Sequence, residues 1–242
     1  MTATARRFGI RRALRALSSV MIVVGVILLA DAAATLLWQE PVSAVYAHIQ
    51  QNALEDDLSE LEQAPLAPAE QRALERIPDP ERKLTFRARA LQRRLDDGDA
   101  MGRILMPSVG VSEVLVEGTG AGDLRKGPGH YPDTPLPGEH GTVGLAGHRT
   151  TYGAPFRHLD QLDRGDAIEV VMSYGRFTYE VERTRIVPPT AMWVTHRAAH
   201  DRLVLTACHP LYSAAQRIVV FARLAKWRAR GVTATPDQGA TA

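Results

Sequence analysis

Three residues with chemically useful side chains each lie at the end of an apolar run in this sequence. Cys208 is the only cysteine and ends one such run, Arg217 opens the next, and His148 ends an earlier one. Short apolar runs bounded by turn residues are typical of buried strands. A thiol and a guanidinium at the adjoining ends of two strands can face each other across a short connection.

These side chains would supply a nucleophile, a proton carrier and a fixed positive charge. A thiol attacks a carbonyl as its thiolate, which is the minor form at neutral pH unless a base or a positive field assists it. His148 could give a proton to a departing amine and then accept one from the incoming nucleophile. Arg217 could stabilise the oxyanion that forms when an amide is attacked, because its charge does not change. The expected intermediate is a thioester on Cys208.

Each of the three residues also has an ordinary structural explanation. A lone cysteine is commonly a small buried apolar residue. A glycine–histidine pair after a strand is commonly a turn, and an arginine at the start of a strand is commonly a solvated charge. Their shared position at strand ends favours the catalytic interpretation.

The elements that must position these residues are predicted to be short strands. From about Gly98 onward, apolar or alternating segments are separated by turn signals, and Ser173 to Arg176 is a hairpin candidate. We expect strands near 103–106, 111–117, 142–147, 167–172, 176–187, 202–207 and 217–224. We also expect a short helix over Ala154 to Leu162. About seven short strands with little helix predict an all-β fold built as a closed or nearly closed β-barrel.

The N-terminal segment predicts a membrane anchor. Residues 1–15 are basic and contain no acid, and residues 16–38 are almost wholly apolar. About 20 residues of helix span a bilayer core, so the apolar segment is long enough. The arginines before it predict a cytoplasmic N-terminus and an extracellular remainder. A cleaved signal peptide is the alternative, because small residues occur at 30–34, but apolarity resumes at 36–38 and favours an uncleaved anchor.

Residues 39–98 are predicted to form a partly helical stalk. Leucines recur at helical spacing within 54–61 and again within 84–95, and prolines divide the region into short pieces. We expect these apolar stripes to pack against each other or against the main domain. A flexible spacer across the cell wall is the alternative.

Composition and spacing argue against several other classes of site. A net charge of +2 makes no case for nucleic acid as a partner, and a single cysteine excludes an internal disulfide and a thiolate-rich metal site. The glycine-rich segment 118–122 lacks the full phosphate-loop fingerprint. Of the eight histidines, His130, His140 and His148 fall in one region, but no His-X-X-X-His pair or carboxylate cluster accompanies them, and no calcium site is identifiable. We therefore predict no metal and no cofactor.

The segment from Asp99 to Trp227 resembles a sortase, and is most similar to the class E sortases of actinobacteria. The matching motifs are Leu-Ala-Gly-His-Arg-Thr-Thr-Tyr-Gly (145–153), Leu-Thr-Ala-Cys-His-Pro (205–210), Gln-Arg (216–217), Gly-Pro-Gly-His-Tyr-Pro (127–132) and Pro-Gly (137–138). They follow the family's order behind an N-terminal anchor. The resemblance implies a closed eight-stranded β-barrel with short helices and a cysteine transpeptidase activity.

By position, Cys208 resembles the family's nucleophile, His148 its catalytic histidine and Arg217 its catalytic arginine. The resemblance implies cleavage of an LPXTG-like sorting signal between Thr and Gly. The acyl group would then pass from the cysteine to a cell-wall amine, usually that of a lipid-linked peptidoglycan precursor. Class E members are similar in activity but prefer Ala at the second position of the signal, as in LAXTG.

The resemblance also implies residues around the nucleophile that contact substrate. Tyr131 resembles a tyrosine that class E enzymes place beside the substrate, and Thr206 and Ala207 directly precede the cysteine. His209 and Pro210 belong to the class signature and are expected to set the local shape.

The chain departs from the common family pattern Thr-Leu-X-Thr-Cys at two positions, where Val204 and Ala207 replace the threonines. Losing the hydroxyl next to the thiol removes one possible hydrogen bond, worth roughly 1 kcal/mol. The substitution bears on rate and signal preference rather than on reaction type.

The predicted organisation is a cytoplasmic basic tail (1–15), a transmembrane anchor (16–38), a stalk (39–98), a sortase catalytic domain (99–230) and a flexible tail (231–242). Such a protein would be a single-pass cell-membrane protein with an extracellular catalytic domain. Its expected partners are surface proteins carrying C-terminal LAXTG or LPXTG-like signals, the peptidoglycan precursor amine and the membrane.

The sequence leaves three alternative functions open. An L,D-transpeptidase would need a glycine before the thiol, where this chain has Ala207. A pilus-polymerising sortase usually has an Asp-Pro-aromatic lid, whereas Asp79 and Pro80 are followed by Glu81. A non-catalytic wall-binding module that kept the barrel is the third, although all three catalytic residue types are present.

Overall fold

The computed structural model describes residues 2–37 and 41–230 of the chain. These residues divide into two compact units, with the boundary between Val42 and Ser43. The predicted flexible tail at 231–242 and Trp38 of the predicted anchor lie outside the described residues.

The first unit contains one long helix, α1 (Thr2–Leu37). Within it, the 21 residues Leu14–Ala34 are long and apolar enough to cross a membrane, and no protein core buries them. Leucine, valine and isoleucine side chains that stay exposed along most of a helix need an apolar environment outside the chain. The helix is therefore compatible with the predicted membrane anchor, and equally with a signal sequence.

The second unit begins with three helices, α2 (Pro41–Gln63), α3 (Pro68–Glu75) and α4 (Pro80–Gln92). Each starts at a proline, which suits the first helical turn because the amide hydrogen that it lacks would have no partner there. The Asp79 carboxylate caps α4 by accepting hydrogen bonds from the amides of Glu81 and Arg82.

The helices of this region pack onto the barrel. Leu54 and Leu58 of α2 are buried against Ala100, Val114 and Val116. The residues of α4 that join the main core are Leu84, Ala88 and Leu91. The leucine stripes are thus packing surfaces against the main domain, as expected from their spacing, and not faces of a flexible spacer.

Eight strands close into a barrel in the order β1-β2-β3-β4-β7-β8-β6-β5. They are β1 (Ala100–Met106), β2 (Val111–Glu117), β3 (Gly129–His130), β4 (Thr142–Ala146), β5 (Ala167–Met172), β6 (Gly175–Val187), β7 (Arg202–His209) and β8 (Gln216–Ala229). A short helix, α5 (Ala121–Leu124), follows β2. The closed eight-stranded barrel is confirmed. The expected helix over Ala154 to Leu162 is wrong, because that segment consists of turns and one 3₁₀ turn at Leu159–Gln161.

The two faces of β7 belong to different apolar clusters. Leu203, Leu205 and Ala207 point into the barrel core. Val204 belongs to a second cluster, which the loop between β6 and β7 covers with Ala191 and Val194. Because side chains alternate along a strand, Thr206 and Cys208 lie on this second face.

Candidate active site

Two of the three predicted catalytic residues, Cys208 and Arg217, lie on the neighbouring strands β7 and β8, and His148 follows β4, the other neighbour of β7. Strands β4 and β7 run parallel, with Ala146 paired to Thr206. His148 and Cys208 each follow this last pair of the register by two residues. Strands β7 and β8 are antiparallel, and Cys208 pairs directly with Arg217. Cys208 therefore lies on the strand between the two elements that carry the other two residues, and we refer to Cys208, His148 and Arg217 together as the row.

The segment that carries His148 is held tightly beyond the end of β4. The Gly147 amide donates to the Thr206 carbonyl at 3.0 Å, and the His148 carbonyl accepts from the Phe156 amide at 3.0 Å. A Cβ atom on Gly147 would come 2.6 Å from Cδ2 of Phe156. Only glycine leaves room for the buried Phe156 ring, so Gly147 lets the chain reach His148 without displacing the core.

The Cys208 thiol and the Arg217 guanidinium are both half-buried. Arg217 Nη1 donates to the carbonyls of Ala214 and Gln216, at 3.0 and 2.9 Å, which fixes it to the loop between β7 and β8. Its other N–H groups have no partner among the residues that the structure describes. They remain able to bind an oxyanion beside Cys208. In the same described region, the thiol makes no hydrogen bond to His148 or Arg217.

The His148 imidazole is half-buried, and its Nε2 atom is buried without a hydrogen-bond partner in the described part of the chain. Nδ1 lies 3.4 Å from Oγ1 of Thr151. Burial is the main cause that lowers the pKa of His148, and the positive charge of Arg125 lowers it further. The ring is therefore neutral at neutral pH and can accept a proton.

Tyr131 and Thr206 meet beside the nucleophile. The Tyr131 hydroxyl lies 2.8 Å from Oγ1 of Thr206, two residues before Cys208 on the same face of β7. A Cβ atom on Gly144 would come 2.8 Å from the Tyr131 ring, so the ring lies directly over β4. Ala207 lies on the other face, with its methyl group in the barrel core. Its predicted contact with a substrate would have to be made by its backbone.

A buried polar network of His130, Glu117 and Thr134 holds the backbone of Tyr131. His130 is fully buried, with Nδ1 2.9 Å from Oε2 of Glu117 and Nε2 2.9 Å from Oγ1 of Thr134. The Thr134 hydroxyl donates to the Tyr131 carbonyl at 2.8 Å and accepts from the Gly144 amide at 3.1 Å. This role of His130 could not be predicted from the sequence, because its contact with Glu117 depends on the pairing of β2 and β3.

A second histidine considered at the sequence level, His140, lies in a surface cluster. Its ligand atoms and those of Glu81 and Asp201 lie within 4.8 Å of one another, and the group could hold a metal ion. His140 and Glu81 are exposed, and Nδ1 of His140 lies 3.0 Å from Asp201.

Arg149 links the two segments that carry His148 and Cys208. Its side chain is almost fully buried, and Nη1 donates to Nδ1 of His209 at 2.9 Å. Nη2 pairs with Asp160 at 2.8 Å, and Nε donates to the Arg157 carbonyl at 3.2 Å. A guanidinium can only donate, so Nδ1 of His209 accepts and its ring proton lies on Nε2. Arg149 belongs to the family motif at 145–153, and its sequence position alone indicates no such role.

A family model described as the Sortase domain matches residues 104–225 of this chain. The chain belongs to the sortase family. Members of this family are cysteine transpeptidases, and the match spans all three residues of the row.

The chain is similar to several curated sortases. It is 36% identical to Sortase D of Bacillus subtilis over 132 residues, which cover 53% of this chain and 65% of that protein. It is 26% identical to Sortase SrtE1 of Streptomyces coelicolor over 151 residues, which cover 56% of this chain and 43% of the relative. The chain thus spans less than two thirds of these relatives. The Streptomyces relatives are consistent with the class E resemblance.

Solved sortases share the barrel. The SrtF sortase from Corynebacterium diphtheriae matches with a TM-score of 0.54 and 28% identity, covering 59% of this chain and 92% of that one. Sortase E1 from Streptomyces coelicolor, with a tripeptide in its active site, matches with a TM-score of 0.53 and 26% identity, covering 55% and 92%. A Clostridium perfringens Sortase D5 matches with a TM-score of 0.58, covering 72% and 98%, but at 22% identity it supports the fold alone.

Proposed function

We propose that this protein is a membrane-anchored cysteine transpeptidase that cleaves an LAXTG or LPXTG-like sorting signal between Thr and Gly. It transfers the acyl group to a cell-wall amine. The observation that carries the proposal is the pairing of Cys208 with Arg217, on a strand whose other neighbour, β4, leads into the segment of His148. A nucleophile, a proton acceptor and a fixed positive charge are the groups that amide attack requires.

The first step forms the bond between sulfur and carbon. Neutral His148 accepts the thiol proton of Cys208, and the thiolate attacks the carbonyl carbon of the signal's threonine. The carbonyl π electrons move to oxygen, and the N–H groups of Arg217 stabilise the resulting oxyanion. The thiol and imidazole are not hydrogen-bonded in the free protein, so substrate binding must bring them together.

The second step breaks the peptide bond. The oxyanion re-forms the carbonyl, the C–N bond to glycine breaks, and protonated His148 gives its proton to the departing amine. A thioester on Cys208 remains. An incoming amine then loses a proton to His148 as it attacks the thioester carbon. The C–S bond breaks, and His148 returns the proton to the sulfur, which regenerates the thiol.

Tyr131 and Thr206 are proposed to contact the part of the sorting signal that precedes the scissile bond. Their hydrogen-bonded pair lies on the same face as Cys208, two residues away along β7. A tripeptide occupies the active site of Streptomyces coelicolor Sortase E1, a structure with the same barrel. An extended peptide running along this face would pass the Tyr131 ring and expose its second residue, Ala or Pro, to it.

The proposed location follows from the apolar segment of α1 and from the arginines on its N-terminal side. An uncleaved apolar helix at Leu14–Ala34 would hold the protein in the membrane, and the arginines preceding it would remain in the cytoplasm. The second unit would then face the cell wall, where surface proteins and the amine of a peptidoglycan precursor are available as substrates.

Wall anchoring is favoured over pilus polymerisation by the structure around Asp79. The Asp79 carboxylate is occupied as the cap of α4, and Pro80 is the first residue of that helix. This dipeptide therefore begins a helix that packs into the core, and does not form a lid with an aromatic plug.

The test is peptide ligation by the full chain. LAXTG and LPXTG peptides are mixed with a small primary amine, and the ligated product is detected by mass. We expect Cys208→Ala to abolish the product and Arg217→Ala nearly to abolish it. Ligation that survives Cys208→Ala would refute the mechanism, and a folded wild-type protein that never ligates would favour the non-catalytic wall-binding alternative.

A further inference from the structure

The start of α2 lies against the loop that follows His148. The Tyr152 amide donates a hydrogen bond to Oγ of Ser43 at 2.9 Å, across 109 residues of sequence. Ser43 is 8% exposed, so this bond is shielded from water. One turn later, Ala47 is 5% exposed, and its methyl carbon lies 3.3 Å from the position that a Cβ atom on Gly153 would take. A helix outside the barrel therefore contacts the catalytic-histidine loop directly.

A row of aromatic rings continues from α2 to the imidazole. The Tyr46 and Tyr152 rings meet edge to face, with centroids 6.1 Å apart and planes at 73°. The Tyr152 ring in turn lies 5.0 Å from the His148 ring. The guanidinium of Arg125 lies 5.6 Å from the Tyr152 ring centroid, a cation–π contact that also holds this ring. The position of Tyr152 thus limits where the His148 ring can lie.

The loop needs outside support because its backbone is unfavourable. Tyr152, Gly153 and Ala154 have φ values of 51°, 74° and 47°. Two of these three residues are not glycine, and a side chain in this left-handed region costs free energy. Such a conformation persists only where surrounding contacts hold it. Ser43 supplies one such contact at Tyr152 itself, and Ala47 lies next to Gly153.

We propose that Ser43 and Tyr46 are positioning residues of the active site, which act through Tyr152 to hold His148 in its place in the catalytic row. Because they act on His148 through Tyr152, they are positioning residues and not catalytic residues. The inference rests on the proposed function, because it concerns the histidine that carries the protons in that reaction.

Attachment of α2 to the barrel does not depend on these two residues. Gln51 donates to the carbonyls of Val114 and Lys126 and accepts from the Val114 amide. Leu54 and Leu58 are buried in the interface. The helix should therefore stay docked when Ser43 or Tyr46 is changed, which separates a positioning role from a structural one.

The test compares truncating and conservative variants in the full chain. Ser43→Ala removes the acceptor and Ser43→Thr keeps it; Tyr46→Ala removes the ring and Tyr46→Phe keeps it. Val45→Ala and Ile49→Ala change exposed side chains of the same helix and serve as matched controls. For each, kcat, KM and Tm are measured in the ligation reaction, together with hydrogen exchange of a peptide covering 149–154.

We expect the two truncating variants to lose about fivefold in kcat, the equivalent of one hydrogen bond, with KM and Tm unchanged. Exchange at 149–154 should rise in the same variants. The conservative variants should recover kcat, and the controls should equal the wild type. If the wild type ligates and the truncating variants ligate equally well, this inference is overturned and the proposed function stands. The inference would also be overturned if kcat falls together with Tm and the conservative variants do not recover kcat. A wild type that never ligates would overturn both.

Discussion

His148 and Arg149 are neighbours in sequence that serve different partners. Arg149 reaches His209, the next residue after the nucleophile, whereas His148 is proposed to exchange protons with Cys208 itself. The family motif pointed to His148, but the role of Arg149 depends on β4 and β7 running side by side. No spacing along the chain reveals such a pairing.

The first prediction concerns this link. Arg149→Met removes a buried set of charge-assisted hydrogen bonds, and we expect kcat/KM in ligation to fall about tenfold or more. If Arg149 acts through His209, its substitution should cost much less in a His209→Ala background, as a double-mutant cycle would measure. Arg164→Met, at an exposed position, is the control. Strictly additive losses would contradict the link.

The second prediction concerns the protonation of His148. Because burial and Arg125 lower its pKa, the neutral form needed to accept the thiol proton persists below the ordinary value of 6.5. The acidic limb of the pH profile of kcat/KM should therefore lie below pH 6.5. Arg125→Gln removes a positive charge, which raises the pKa and should shift that limb to higher pH. A shift to lower pH in this variant would contradict the assignment.

At the scale of elements, the alternating and apolar patterns predicted most strands but missed β3. Gly129–His130 is a two-residue strand without any periodic pattern, and its pairing with β2 and β4 is a tertiary event. The expected helix after His148 fails for a related reason. The positive φ value of Ala154 prevents a helix from starting at the expected position, and a hydrogen bond from α2 holds the preceding turn at Tyr152. Neither effect can be seen in the local sequence.

The helices ahead of the barrel give the third prediction. Leu84 of α4 is 2% exposed within the main core, so Leu84→Ala should lower the free energy of unfolding by about 3 kcal/mol. Ile49→Ala, at an exposed position of α2, should leave it unchanged. Denaturant unfolding of the two variants measures the difference. Equal stabilities would mean that α4 is not part of the core, and that residues 99–230 suffice as a folding unit.

At the scale of the whole molecule, one half-buried carboxyl group should make stability depend on pH. Burial raises the pKa of Glu113 from 4.5 to about 7, against the opposing effect of Arg103. The folded state then binds more protons than the unfolded state between these values, so this group's contribution to stability is lost as pH rises through 7.

Glu113→Gln should remove this dependence, which is the fourth prediction. The difference in unfolding free energy between variant and wild type should move in favour of the variant by about 2 kcal/mol from pH 4 to pH 8. Glu180→Gln, at an exposed position of β6, is the control. A difference that does not vary with pH would show that Glu113 titrates normally in the folded protein.

The organisation of the molecule was only partly readable from its sequence. The apolar N-terminal helix and the barrel were clear from composition and alternation. Residues 39–98 were expected as a stalk, and from Ser43 onward they belong to one compact unit with the barrel. Helical spacing of leucines showed that a face would be buried without showing against what. We therefore propose residues 43–230 as the functional catalytic unit.

The central claim is that Cys208 forms an acyl intermediate, and mass-spectrometric peptide mapping tests it most directly. The full chain is mixed with an LAXTG-type peptide without an amine acceptor, quenched in acid, digested and mapped. The account predicts an acyl adduct on Cys208 that hydroxylamine removes, and no adduct on the Cys208→Ala variant. Cleavage of the peptide without any adduct on Cys208, or with the adduct on another residue, would contradict it.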